Sequence, residues 1–260
     1  MATDPLISVD DLAARLEDPG VRVVDCRWYL GRPGEGRLAY DSGHVPGAIH
    51  LDIDTDLTAP DGPGRHPLPD AAVFAKRLEA LGIGGDDLVV AYDDVGGWVA
   101  ARLWWMLDDL GHERVAVLDG GWQAWIAAGK PVSTDTPQAS SAVASPVTPL
   151  RLADHWTRTI DIDALRDRLG AVRLLDARGG ARYRGETEPI DAYPGHIPTA
   201  RNTPTDSNLG PDGRFLPAAD LRIQYEALGA DGSAGEVIAS CGSGVSACQT
   251  TSGKTRPMSA

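Results

Sequence analysis

LGIGGDDLVVAYDDVGGWVAA, residues 81–101, and LGADGSAGEVIASCGSGVSAC, residues 228–248, follow one plan. Each opens on Leu-Gly, passes through a polar turn into a short apolar run, and ends in a glycine-bearing loop before a small-residue stretch. Aligned on that plan, Asp93 stands where Cys241 stands, so only the second copy offers a nucleophile. Working outward, the first copy is preceded by VRVVDC (21–26) and GHVPGAIHLDID (43–54). The second is preceded by VRLLDAR (172–178) and GHIPTARNTPTD (195–206), in the same order about 150 residues later. The chain is a tandem.

Between the halves, PVSTDTPQASSAVASPVTP (131–149) is rich in Pro, Ser and Thr and has no apolar periodicity, which predicts an extended connection. The reading is a first unit over 1–132, a linker over 133–149 and a second unit over 150–260. Within each unit, short apolar strands such as LVVAY (88–92) alternate with amphipathic patterns such as AAVFAKRLEALG (71–82). That alternation predicts an α/β fold, a mostly parallel sheet flanked by helices. Loops at the carboxyl ends of such strands form the ligand crevice, and Cys241 directly follows the strand VIAS.

Bulk properties exclude several classes. A chain of 260 residues with net charge −13 and pI near 4.8 repels nucleic acid and anionic membranes, so neither is an expected partner, and an anionic substrate needs locally placed arginines. The acidic start MATDPLISVDDLAARL lacks the basic and apolar regions of a signal peptide, and a cytoplasmic location is expected. Three cysteines, Cys26, Cys241 and Cys248, make no even disulfide framework and no metal-ligand spacing; no metal or organic cofactor is expected.

Around Cys241 the glycines let the backbone curl so that its N–H groups point inward, and such donors beside a helix start stabilise a thiolate and can hold the outer sulfur of a persulfide. The alternative is a buried core cysteine. The loop CGSGVS (241–246) resembles the active-site loop of rhodanese-type sulfurtransferases, in the form found in mercaptopyruvate and bacterial thiosulfate enzymes. The resemblance extends over the tandem layout, the GHVPGA and GHIPTA segments, and DARGGARYRGETEPID from Asp176.

The resemblance implies two tandem rhodanese-like domains and a ping-pong transfer. Cys241 would take sulfur from 3-mercaptopyruvate or thiosulfate and pass it to a thiol or cyanide. It also implies Gly242, Ser243, Gly244, Val245 and Ser246 as the backbone cradle and Arg182, with Arg178, as clamps for the donor's anionic end. Asp176 would be structural. His44 would be a proton relay with Ser243, and His196 structural. The second arginine of mercaptopyruvate enzymes falls on Asp191, which is expected to repel a donor carboxylate. Trp28 and Trp98 would either line the cleft or pack in the core.

Two rivals remain. A phosphatase with the same strand-loop-cysteine layout needs an arginine where this chain has Ala247. An inactive truncated homologue, or a sulfur-sensing or binding module, is the other. Only nineteen residues follow Cys241, ending CQTTSGKTRPMSA without apolar periodicity. The second unit is therefore expected to lack the helix-strand-helix that follows Asp93 in the first, with reduced stability and weak or no turnover.

Overall fold

The computed structural model describes residues 4–135, 148–231 and 235–252. Most of the 133–149 connection lies outside the described residues, as does the tail beyond residue 252. Two parallel sheets organise the rest. The first is built from β1 (Leu6–Ile7), β2 (Val21–Asp25), β3 (Ile49–His50), β4 (Leu88–Tyr92) and β5 (Val115–Leu118), in the order β1-β5-β4-β2-β3. The second contains β6 (Arg173–Asp176), β7 (Arg201–Asn202) and β8 (Val237–Ser240), in the order β7-β6-β8.

The second sheet repeats the centre of the first. Asp25 registers with His50 just as Asp176 registers with Asn202, and β4 and β8 flank the other side. Period-2 alternation divides the apolar side chains between two faces. Val24, Val89 and Ala91 enter one core, whereas Val23, Leu88, Val90 and Tyr92 enter another. Around the smaller sheet, Leu174 and Ile238 face one cluster and Leu175, Leu221 and Tyr225 the other.

Helices cover these faces: α1 (Val9–Ala13), α2 (Glu35–Ser42), α3 (Ile53–Asp56), α4 (Ala71–Ala80), α5 (Ala100–Asp109) and α6 (Gly121–Ala127) in the first half. In the second lie α7 (Ile162–Asp167), α8 (Gly180–Tyr183), α9 (Ala218–Ala227) and α10 (Ala247–Ser252). The pattern at 71–82 becomes α4, capped by the Asp70 carboxylate, which accepts from the N–H groups of Ala72 and Val73. None of the helices among the described residues is long and apolar enough to cross a membrane.

Two features depart from the sequence reading. A helix does follow the cysteine loop: α10 packs on α5, and Val245 and Cys248 enter the core cluster of the first half. Its Thr- and Ser-containing sequence has little intrinsic helicity, and tertiary burial supplies the stability. Among the described residues no strand pairs with β8 on the side where β5 pairs with β4. The chain after residue 147 also returns across the first half before forming its own sheet. Leu150 is buried there, Trp156 stacks on Trp105 with centroids 5.9 Å apart, and its indole N–H donates to Pro69 O at 2.8 Å.

Candidate active site

The repeat separates structural groups from chemical ones, because whatever recurs in the half whose loop carries Asp93 in place of Cys241 has no need of that cysteine's chemistry. In the first half Arg27 forks onto Asp25 and donates through Nη2 to Gly43 O at 2.7 Å. In the second, Arg178 forks onto Asp176 and donates through Nη2 to Gly195 O at 2.6 Å. Both arginines clip the end of a central strand to the Gly-His loop. Arg178 does line the cavity, but its guanidinium is committed to this clip, which argues against the expected role as an anion clamp.

The same comparison bears on His44. Its ring stacks on Tyr40 at 3.9 Å, Nδ1 meets Tyr40 O at 2.8 Å and Nε2 meets Asp135 O at 3.1 Å. His196 repeats the arrangement, stacked on Tyr183 at 3.8 Å with Nδ1 on Tyr183 O. Both ring nitrogens face carbonyls and His44 is not among the residues that line the cavity beside Cys241, which argues against the expected proton relay.

The paired loops diverge in their anions. The Asp93 carboxylate, fully buried, accepts four backbone N–H bonds, from Val95 and Gly97 on one oxygen and from Val99 and Ala100 on the other, at 2.8–2.9 Å. Burial pushes its pKa up and the four donors pull it down. In the second loop the Gly244 N–H points at Cys241 Sγ, 3.1 Å away. Gly244 has φ +75°, a left-handed value that a side chain would oppose. Cys241 is only partly covered.

Cys241 opens into a cavity of about 250 Å³ between the halves. Trp28, Leu30, Arg65 and Trp98 come from the first half; Ala177, Arg178, Gly179, Arg182, Thr205, Gly242, Ser243, Val245 and Ser246 come from the second. Of the expected cradle, Gly244 alone is absent from the wall, since its carbonyl turns away to accept from Arg102 at 3.2 Å. Trp28 and Trp98 line the cleft and meet edge-on at 6.4 Å. Cys248 is buried behind the loop, its thiol donating to Gly244 O at 3.2 Å, and burial pushes it up to about 12. Cys26 is a core residue whose thiol burial raises well above its ordinary value.

The cavity's arginines are paired with carboxylates. Arg182 grips Glu188 through Nε at 3.1 Å and Nη2 at 2.7 Å, and shares Nη2 with Asp191 at 2.8 Å. The Arg182 hydrogen bonds, with the N–H groups of Asp191 and Ile190, hold the Glu188 carboxyl down at about 2. Asp191 also pairs with Arg65, so it bridges two guanidinium groups from opposite halves.

Sequence reasoning passed over Arg65, His66, Asp54 and Arg102. His66 Nε2 meets Asp54 Oδ1 at 3.0 Å, its ring stands edge-on to Trp28 at 5.3 Å, and Trp28 Nε1 donates to the other oxygen of Asp54 at 2.8 Å. Burial lowers the His66 pKa, opposed by the Asp54 carboxylate. A signal existed in the repeat: PDGPGRHPLPDAA (60–72) answers GPDGRFLPAAD (210–220), with Arg65-His66 set against Arg214-Phe215. A histidine replacing an apolar residue in one copy marks the copy's loop as specialised. Arg102 is buried on α5 and donates to the carbonyls of His66 and Gly244, tying the two together.

Known proteins share the sequence and the fold. The model of the Rhodanese-like domain matches residues 8–128. A "Probable 3-mercaptopyruvate sulfurtransferase" of Pseudomonas aeruginosa is 42% identical over 95% of this chain and 87% of its own length. The 3-mercaptopyruvate sulfurtransferase of Rattus norvegicus is 32% identical over 95% of this chain and 84% of its own. Among solved structures, the 3-mercaptopyruvate sulfurtransferase from Leishmania major superposes with TM-score 0.81 at 32% identity, covering 95% of this chain and 68% of that one. SseA from Escherichia coli, of the rhodanese fold, superposes at 0.78 with 27% identity, covering 96% and 93%. With an α/β fold, a cysteine at a strand end and relatives matched over nearly the whole chain, this protein belongs to the rhodanese-type family of 3-mercaptopyruvate and thiosulfate sulfurtransferases.

Proposed function

We propose that this sulfurtransferase works through a persulfide on Cys241, and that residues 1–132 and 150–260, joined by 133–149, are its noncatalytic and catalytic domains. The observation that carries the reading is the Gly244 N–H aimed at a partly exposed Cys241 Sγ on the wall of a cavity that also holds Arg182. A thiolate there attacks the sulfur of 3-mercaptopyruvate. The carbon–sulfur bond breaks, its electron pair leaves as the enolate of pyruvate, and the proton of the donor thiol ends on that carbon. With thiosulfate the sulfur–sulfur bond breaks and sulfite leaves. In either case the cysteine persulfide then passes its outer sulfur to a thiol or to cyanide, restoring the thiolate.

Arg182 is the clamp for the donor's anionic end, and Arg178 fixes the wall on which that clamp stands. No histidine is among the described residues that line the cavity, and the proton passes from the donor's own sulfur to the carbon.

Intact-protein mass spectrometry tests the reading. Incubation with 3-mercaptopyruvate or thiosulfate should add one sulfur to the wild type, removable by cyanide, and none to Cys241→Ser. A wild-type chain that gains no sulfur from either donor would sink it in favour of an inactive homologue or a binding module.

A further inference from the structure

Three guanidinium groups line the cavity, those of Arg65, Arg178 and Arg182, and each is paired with a carboxylate. A Cβ placed on Gly242, next to the nucleophile, would meet Arg65 Nη2 first, then Asp191 Oδ2 at 3.3 Å and Arg182 Nη2 at 3.5 Å. The three groups thus converge on the backbone of the residue after Cys241. Arg65 fills from the opposite half the space a side chain at 242 would use. Its Nη1 is held by Asp191, while its Nε is buried without a partner among the described residues. Glu188 also forks onto Arg182, while Asp176 is held in the Arg178 clip, so Asp191 alone of the three carboxylates joins Arg182 to Arg65.

We propose that Asp191 is a resident carboxylate in the donor's anion site, holding Arg65 and Arg182 over Gly242 until a donor anion takes them in its place, so that Asp191 sets donor preference. The inference rests on the reading of Cys241 as the sulfur-accepting nucleophile. An anion bridging two cations leaves both aligned but unavailable, and an entering anion must exchange with it instead of finding bare charge. Exchange is selective by charge. A monoanion such as 3-mercaptopyruvate replaces like with like, whereas dianionic thiosulfate meets roughly twice the repulsion from the displaced carboxylate. Asp191 therefore favours the monoanionic donor.

Anion binding to Cys241→Ser, followed by calorimetry, tests this without turnover, using pyruvate as the monoanionic probe and sulfate as the dianionic one. Adding Asp191→Asn should tighten pyruvate roughly three- to tenfold and sulfate by a larger factor, the scale of one or two part-exposed ion pairs. Asp191→Glu, which keeps the charge, should restore weak binding, and Arg65→Gln should weaken both probes. Unchanged or weaker binding in Asp191→Asn, or equal gains for the two probes, would overturn the proposal and leave Asp191 as a brace for the arginines. Failure of Cys241 to take up sulfur is read in the mass experiment above, so the two failures are distinguishable.

Discussion

The Asp93 and Cys241 loops are two uses of one backbone curl. In the first, a permanent carboxylate fills the curl and accepts four N–H bonds, and the loop is sealed by Leu209 over Gly96 and Phe215 over Gly97. In the second, the Cys241 sulfur stands on the wall of a cavity, and the covering groups are cationic: Arg65 over Gly242 and Arg102 behind Gly244. Each half thus covers the other's loop. The curl itself supplies anion-binding geometry, and what covers it decides whether the anion is an anchor or a reagent.

The strongest way to break the comparison is to exchange the anions. Cys241→Ser should lower sulfur transfer by about a thousandfold or more, because the reaction has no second nucleophile. Asp93→Cys should create no second labelled thiol, since residue 93 is sealed from solvent, and labelling at 93 would show that the curl alone suffices. In the Asp93 loop the large effect is structural. Asp93→Ala strands four buried N–H groups and should cost about 3–5 kcal/mol, read as a fall in the urea midpoint, taking about 1–3 kcal/mol for each buried unsatisfied group and allowing some to find water. A loss below about 1 kcal/mol would mean the curl holds without its anion.

Why part of this was legible in the sequence, and part not, follows from the range of each interaction. The strand and helix patterns, the repeat and Cys241 are local signals, and the parallel sheets followed from them. A histidine in a motif such as His44 is equally visible whether it stacks on Tyr40 or works in a cavity, and the matching stack of its twin His196 on Tyr183 favours the first. Arg65 and His66 sit in a polar Gly- and Pro-rich loop with no periodicity, and the meaning of Arg65 comes from its contact with Asp191 of the other half. Asp191 looked like a defect when read alone, and becomes a bridge only when Arg65 arrives from 126 residues away. Helix α10 was missed because burial on α5, not propensity, stabilises it.

Covering groups should matter by an intermediate amount. Arg102 is buried, donates to the carbonyls of Leu57, His66 and Gly244, and has no carboxylate partner among the described residues. Arg102→Met keeps much of the stem and removes the donors, so about 1–3 kcal/mol of stability should go with the carbonyls left bare. Because one of those carbonyls belongs to the cysteine loop, the rate of persulfide formation measured by stopped flow should fall as well. Loss of stability with an unchanged rate would place Arg102 in the fold alone and would make the Cys241 curl as self-sufficient as that of Asp93.

The smallest effect sharpens the difference between the two clips. Arg27 faces only Asp25 among its described ion pairs, whereas Arg178 and Arg182 share Glu188, whose carboxyl is held at about 2 against an ordinary 4.5, first by its hydrogen bond to Arg182. With the folded value below the unfolded one, the unfolded chain takes up the proton first as pH falls. The stabilisation is complete above about 4.5 and disappears on acidification towards 2. Urea midpoints compared between pH 5.5 and 2.5 should therefore fall more steeply in wild type than in Glu188→Gln, which has no proton to take up at that position. Parallel slopes would mean that solvent screens the Arg182–Glu188 fork, and that the second clip is held, like the first, by its aspartate.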